Sequence, residues 1–199
     1  MNPPDVQRDE RPHELSEIFA QHRDRLRRMV RLRMDRRLQG RVDASDVIQE
    51  AYVEAAQRYD EYKLDPAVSP FIWLRFLTGQ KLIQLQRRHL GAKARDANRD
   101  VSIYRGAIPE ATSAALAAQL IGKQTSPTQA AARAESKLRV QEALNGMEDI
   151  DREVLALRHF EQFSNAEVAQ LLDISEDAAY KRYVRALKRL KGVLGNMPG

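Results

Sequence analysis

No cysteine occurs among the 199 residues. Disulfides, thiolate nucleophiles and cysteine-ligated metals are therefore excluded, and a reducing cytoplasm is compatible with the chain. Glycine is also sparse, and the nine present form no GxGxxG or GxxxxGK pattern, so no phosphate-cradling loop is encoded. No G-x-S-x-G occurs, which removes the nucleophile elbow. The four histidines, His13, His22, His89 and His159, are scattered without ligand spacing. His22 falls on an apolar stripe and reads as a core or boundary residue. No metal site, cofactor or catalytic constellation is expected, and the chain does not read as an enzyme. No stretch approaches eighteen apolar residues, so membrane insertion is not expected. The start, "MNPPDVQRDERPHELSEIF", has no apolar h-region and does not read as a secretory signal. β-Branched residues are few and nowhere alternate usefully, so strand signals are missing as well.

What remains is a charged, helix-forming chain. Charged residues make up 31% and hydrophobic residues 43%; the net charge is +5 and the pI about 9.6. A basic total alone describes a solvated surface. A nucleic-acid partner requires the charge to be clustered. Ala, Leu, Arg, Gln, Glu and Lys dominate, which predicts an all-α fold. A first helix is expected over Glu14 to Arg37, with Leu15, Ile18, Phe19, His22, Leu26, Met29 and Val30 on one stripe and Gly40 as the stop. A second starts at Asp43, with Asp46 near the positive end of the helix dipole, and ends near Tyr59 to Tyr62. The loop "KLDPAVSP" leads to a third helix from Pro70, a residue suited to a first helical position. Residues 101–126, poor in charge and rich in small residues, read as a linker between domains at 10–100 and 127–195. A helix then runs from Ser126-Pro127 to Asn145-Gly146, and another from Glu148 to Glu161. Ser164 and Glu167 form a capping box for a short helix ending at Leu172. Ser175 caps the last helix.

That last segment raises the functional question. "SEDAAYKRYVRALKRLK" opens with two acids and continues with Lys181, Arg182, Arg185, Lys188, Arg189 and Lys191. Small Ala169 lies where two crossing helices come closest, and Val168, Leu172 and Ile174 supply a shared core. Tyr183, Ala186, Leu187 and Leu190 should face that core. A short capped helix, a tight turn and a second capped helix form the pattern of a helix-turn-helix. The second helix of that motif meets base edges with its first residues, here Glu176, Ala178, Ala179 and Tyr180. The cations that follow suit phosphates.

The segment "DREVLALRHFEQFSNAEVAQLLDISEDAAYKRYVRALKRLK" resembles region 4, the promoter-binding C-terminal region of bacterial RNA polymerase sigma factors. "DASDVIQEAYVEAAQRYDEY" is similar to the polymerase-docking helix of region 2, and "SPFIWLRFLTGQKLIQLQRR" to the helix after it. Two regions without a middle domain match the extracytoplasmic-function (ECF) subfamily. The resemblance implies a cytoplasmic initiation factor that binds polymerase core at the β′ coiled coil and the β flap. It further implies promoter DNA as a partner, and an anti-sigma factor is a common one. Asp46, Gln49, Glu50 and Val53, acids with an amide and an aliphatic contact, make the expected core-docking face. Tyr62, Lys63, Phe71, Gln80, Gln84, Arg87 and Arg88 are expected at the melted −10 element, where stacking and charge hold single strands. Trp73 reads as a core anchor. The six Lys and Arg of residues 81–99 should track phosphates. Glu176, Ala178, Tyr180, Lys181, Arg182 and Arg185 are expected at the −35 element. The chain departs from the family pattern at Gln80 (commonly Asn), Asp173 (commonly Gly) and Tyr180 (commonly basic). A stand-alone helix-turn-helix regulator, a nucleic-acid-processing enzyme and an adaptor for acidic proteins are the rival readings of the same residues.

Overall fold

The computed structural model describes residues 6–38, 40–64, 66, 68–90, 109–122 and 130–195. Among these the regular structure is helical, with no strand. The chain divides into two compact units, Met1–Pro109 and Glu110–Gly199.

In the first unit α1 (Val6–Arg33), α2 (Ala44–Leu64) and α3 (Pro70–Leu90) pack on one another. Leu26, Met29, Val30, Val47, Ala51, Ala55, Leu74, Leu77 and Leu82 are buried between them. Their three- and four-residue spacing is what puts an apolar stripe on each helix. The first helix stops at Arg33 rather than the expected Arg37. The reason lies in Asp35, whose carboxylate accepts from the Arg37 backbone N–H at 2.9 Å and from its guanidinium at 2.7 Å. This local bond competes with helix continuation. Gly40 follows with φ of 91°, a left-handed conformation that suits glycine. At the start of α2 the Asp43 carboxylate accepts from the Ser45 N–H at 2.7 Å, and the Asp46 carboxylate from the Asp43 N–H at 3.3 Å. The helix runs to Leu64, slightly past the expected end.

In the second unit, part of the segment read as linker is helical. α4 (Ser113–Ile121) is capped by Thr112, whose hydroxyl accepts from the Ala115 N–H at 3.2 Å. It packs on α5 (Ala130–Asn145), burying Leu116 and Ala117. Its small residues carry little polar contrast, so periodicity alone did not separate it from a tether. The rest of that segment, residues 101–108 and 123–126, lies outside the described residues. So do the helix start at Ser126-Pro127 and residues 91–99 of the basic cluster. α6 (Asp149–Leu155) continues into a π-helical turn, Ala156–Phe160, which the Glu161 N–H closes on the Ala156 carbonyl at 3.1 Å. The expected helix over Glu148 to Glu161 is therefore two kinds of helix end to end. α7 (Asn165–Leu172) and α8 (Glu176–Leu194) complete the unit.

Candidate nucleic-acid interface

The turn between α7 and α8 is built from local chemistry. Ser164 accepts from the Glu167 N–H at 3.1 Å, and Glu167 accepts from the Ser164 N–H at 2.7 Å, a complete capping box. Asp173 ends α7 at φ 52° and ψ 51°, in the left-handed region. The position often held by glycine thus keeps its conformation with an Asp side chain, at a steric cost that glycine lacks. The Ile174 N–H then reaches back to the Ala169 carbonyl at 3.0 Å. Ser175 caps α8 by accepting from the Ala178 N–H at 3.1 Å. The Asn165 side-chain amide donates to the Glu176 carbonyl at 2.7 Å and ties the starts of the two helices together. Val168, Ala169 and Ala179 are buried at the crossing, while Leu172 and Ile174 are half-buried. These features form a helix-turn-helix.

The expected contact residues on α8 divide into two groups. Glu176, Tyr180 and Lys181 are exposed, with Tyr180 at 59%; Ala178 is half-buried. Lys181 pairs with Asp177 one turn earlier at 2.7 Å, an exposed pair. Such pairs are worth about 0.3–0.5 kcal/mol and are easily exchanged. Arg182 and Arg185 stand differently. Arg182 donates to Asp151 at 2.8 Å and to Glu148 at 2.9 Å. Arg185 donates to both Asp151 oxygens through Nε and Nη2. Asp151 is 4% exposed. Burial pushes its carboxyl up, but the Arg185 and Arg182 hydrogen bonds outweigh this and hold it below the ordinary value. Arg189 lies against Gly146, where a side chain would meet its guanidinium. Leu187, expected in the core, is 37% exposed; Ala186 and Leu190 are buried and Tyr183 half-buried. The Arg158 guanidinium, from the π-helical turn, sits 5.2 Å from the Tyr183 ring centre and donates to the Phe163 carbonyl at 2.7 Å. Asp151 and Glu148 escaped sequence reasoning because acids at a helix start read as dipole partners. The opposed pair of arginines one turn apart on α8 is the signal that could have found them.

On the first unit, Asp46, Gln49, Glu50 and Val53 are all exposed on α2, Val53 at 56%. They follow i, i+3, i+4 and i+7, so they share one stripe. Glu54, beside them, is held instead by Lys81 at 2.9 Å, and that contact keeps its carboxyl below the ordinary value. Between α2 and α3 the aromatics interlock. Tyr62 stacks on Trp73 with ring centres 4.4 Å apart and 15° between planes, and its hydroxyl donates to the Val68 carbonyl at 2.8 Å. Trp73 is buried, as a core anchor should be. Lys63 reaches Glu14 at 2.7 Å. Lys63 and the Tyr59 hydroxyl, in that order, lower the Glu14 carboxyl. Burial, then the Glu14 contact, raises the Tyr59 phenol to about 12. Phe71 departs from expectation. It is 2% exposed, with the Arg25 guanidinium 3.5 Å from its ring centre and His22 beside it. Its ring belongs to the core and is closed to a base. Gln80 is half-buried, and Gln84, Arg87 and Arg88 are exposed, one stripe along α3. Among the described residues no group of acids and histidines is placed to hold a metal, and no helix is long and apolar enough to cross a membrane.

No curated protein matches the chain. Its fold is that of CnrH, solved in complex with the cytosolic domain of CnrY: the TM-score is 0.50 at 20% identity, over 92% of this chain and 89% of that one. The sigma factor RpoE from Bartonella quintana, solved with the anti-sigma factor NepR, aligns over 94% of this chain and 98% of that one, at 19% identity and a TM-score of 0.46. Residues 137–190 match the family model of sigma-70 region 4, a span that includes the whole of α6, α7 and the turn between α7 and α8. The second unit thus carries a sigma-70 region 4 domain over those residues.

Proposed function

We propose that this chain is an ECF-type sigma factor: it binds RNA polymerase core and directs initiation at specific promoters. The observation that carries the proposal is the coincidence of the region 4 match with a capped helix-turn-helix whose second helix presents exposed cations. Residues 10–100 act as region 2, docking core through Asp46, Gln49, Glu50 and Val53 against the β′ coiled coil. The same region meets the melted −10 element with Lys63 at the end of α2 and with Gln80, Gln84, Arg87 and Arg88 along one stripe of α3. Tyr62 supports the loop there. Residues 127–195 act as region 4, contacting the β flap and reading the −35 element with Glu176, Ala178, Tyr180 and Lys181 in the first two turns of α8. The protein works by binding, without catalysis of its own, in the cytoplasm where polymerase is found. CnrH was solved with the cytosolic domain of CnrY, and an anti-sigma partner is expected to cover exposed faces of this chain. Holding both units on polymerase raises the effective concentration of the second DNA contact once the first is made.

Run-off transcription with purified core and genomic fragments tests the proposal. Addition of the chain should yield discrete transcripts that core alone does not make. Failure to bind core, together with tight binding of a palindromic duplex by the chain alone, would replace this reading with that of a stand-alone regulator.

A further inference from the structure

The cations of α8 fall into two sectors. Successive residues rotate by about 100°, so Arg182, Arg185 and Arg189 share a sector about 60° wide. That sector faces the α5–α6 junction, where Asp151, Glu148 and Gly146 lie. Lys181, Lys188 and Lys191 occupy the next sector, opposite the buried Ala179, Ala186 and Leu190, and are exposed. Arginine stands where a planar fork can grip a carboxylate from two sides, and lysine where a mobile point charge meets solvent.

We propose that Arg182 and Arg185 are positioning residues that fix α8 on α6 through Asp151 and Glu148, and that DNA phosphates are met by the lysine sector instead. The inference rests on the reading of α7–α8 as a duplex-binding motif and refines which residues of it carry charge to DNA. Two arguments support it. Arg182 and Arg185 face two carboxylates, so their local charge is already cancelled, and little counterion release remains for a phosphate to gain. An arginine that left Asp151 for a phosphate would also leave a buried carboxylate with half its cationic partners beside a polyanion. Lys181 meets neither obstacle, because its Asp177 partner is exposed and readily replaced.

The test uses the full chain reconstituted with polymerase core and a labelled duplex enriched by that complex from a random-sequence pool. The readout is the slope of log affinity against log salt, which changes by about 0.9 for each phosphate that is no longer neutralised. Lys181→Gln and Lys188→Gln should each flatten the slope by about that amount. Arg182→Gln and Arg185→Gln should lower affinity but leave the slope unchanged. A purely structural defect would not separate the two sets of variants in this way. If either arginine variant flattens the slope as the lysine variants do, the inference is overturned. If the wild-type complex enriches no duplex, the function proposed above fails. The positioning claim is then decided by the Arg185 Nε–Hε and the Arg182 Nη–Hη signals in NMR spectra of the full chain. Slow solvent exchange that disappears in Asp151→Asn supports it, and fast exchange in the wild type overturns it.

Discussion

Replacing Asp151 with alanine removes the one buried acid that both α8 arginines grip. Taking one partner from a fully buried pair costs about 3–5 kcal/mol. Here the loss is smaller, because the Arg185 side chain is 57% exposed and Arg182 keeps Glu148 at 2.9 Å. A hydrogen bond to a charged group contributes about 1.5–3 kcal/mol, which places Asp151→Ala near 2 kcal/mol. For a unit of this size each kcal/mol moves Tm by about 4–8 °C, so a fall of about 10 °C is expected. Scanning calorimetry of the full chain should show the fall in the transition of unit Glu110–Gly199, with the other unit's transition as internal control. The pH dependence has a defined sign. The native carboxyl titrates below its ordinary value of 3.8. Its contribution is therefore fully present above that value and is lost as pH falls through the lowered native value. The gap between wild type and variant should stay constant through neutral pH and close in acid. A shift under about 2 °C at neutral pH would show that the arginines are equally well served by water, and would refute the account of α8 as a helix clamped by charge.

Three further outcomes are expected. Asp173→Gly relieves a left-handed Asp but adds freedom to the unfolded chain, so unfolding measurements should show a gain of up to about 1 kcal/mol; a loss would mean that the Asp side chain contributes more than its conformation costs. Tyr62→Phe keeps the stack on Trp73 but frees the Val68 carbonyl, and should cost about 1 kcal/mol in chemical denaturation while slowing strand opening in permanganate footprinting of promoter complexes. Asp46→Arg places a cation on an exposed acidic stripe. Competition for core should weaken roughly tenfold, about 1.4 kcal/mol, with a small fall in Tm from the lost bond to the Asp43 N–H; unaltered competition would remove that stripe from the docking model.

Much of the helical order could be read from residue types and spacing because those signals are local. Ser164 with Glu167, Ser175, Pro70 and Asn145-Gly146 mark helix ends by bonds made within a few residues, and the structure places ends at or beside each. The apolar stripe of the first helix likewise predicted Leu15, Phe19, Leu26, Met29 and Val30 as core. Errors arose where a competing interaction was equally local but unrecognised, as when Asp35 bonded Arg37 and ended α1 early, or where contrast was low, as in the alanine-rich α4.

Which charged and aromatic side chains remain available could not be read in this way. Phe71 and Tyr62 both looked like surface aromatics, yet one ring is enclosed by Arg25 and His22 and the other braces a loop from Trp73. Arg182 and Lys181 are neighbours in sequence with the same charge. One full helix position rotates them apart, so that one meets a buried carboxylate more than thirty residues away and the other meets solvent. Local bonds set where a helix begins and ends, but its rotation against its neighbours depends on contacts between distant parts of the chain, and that rotation selects the face left for DNA.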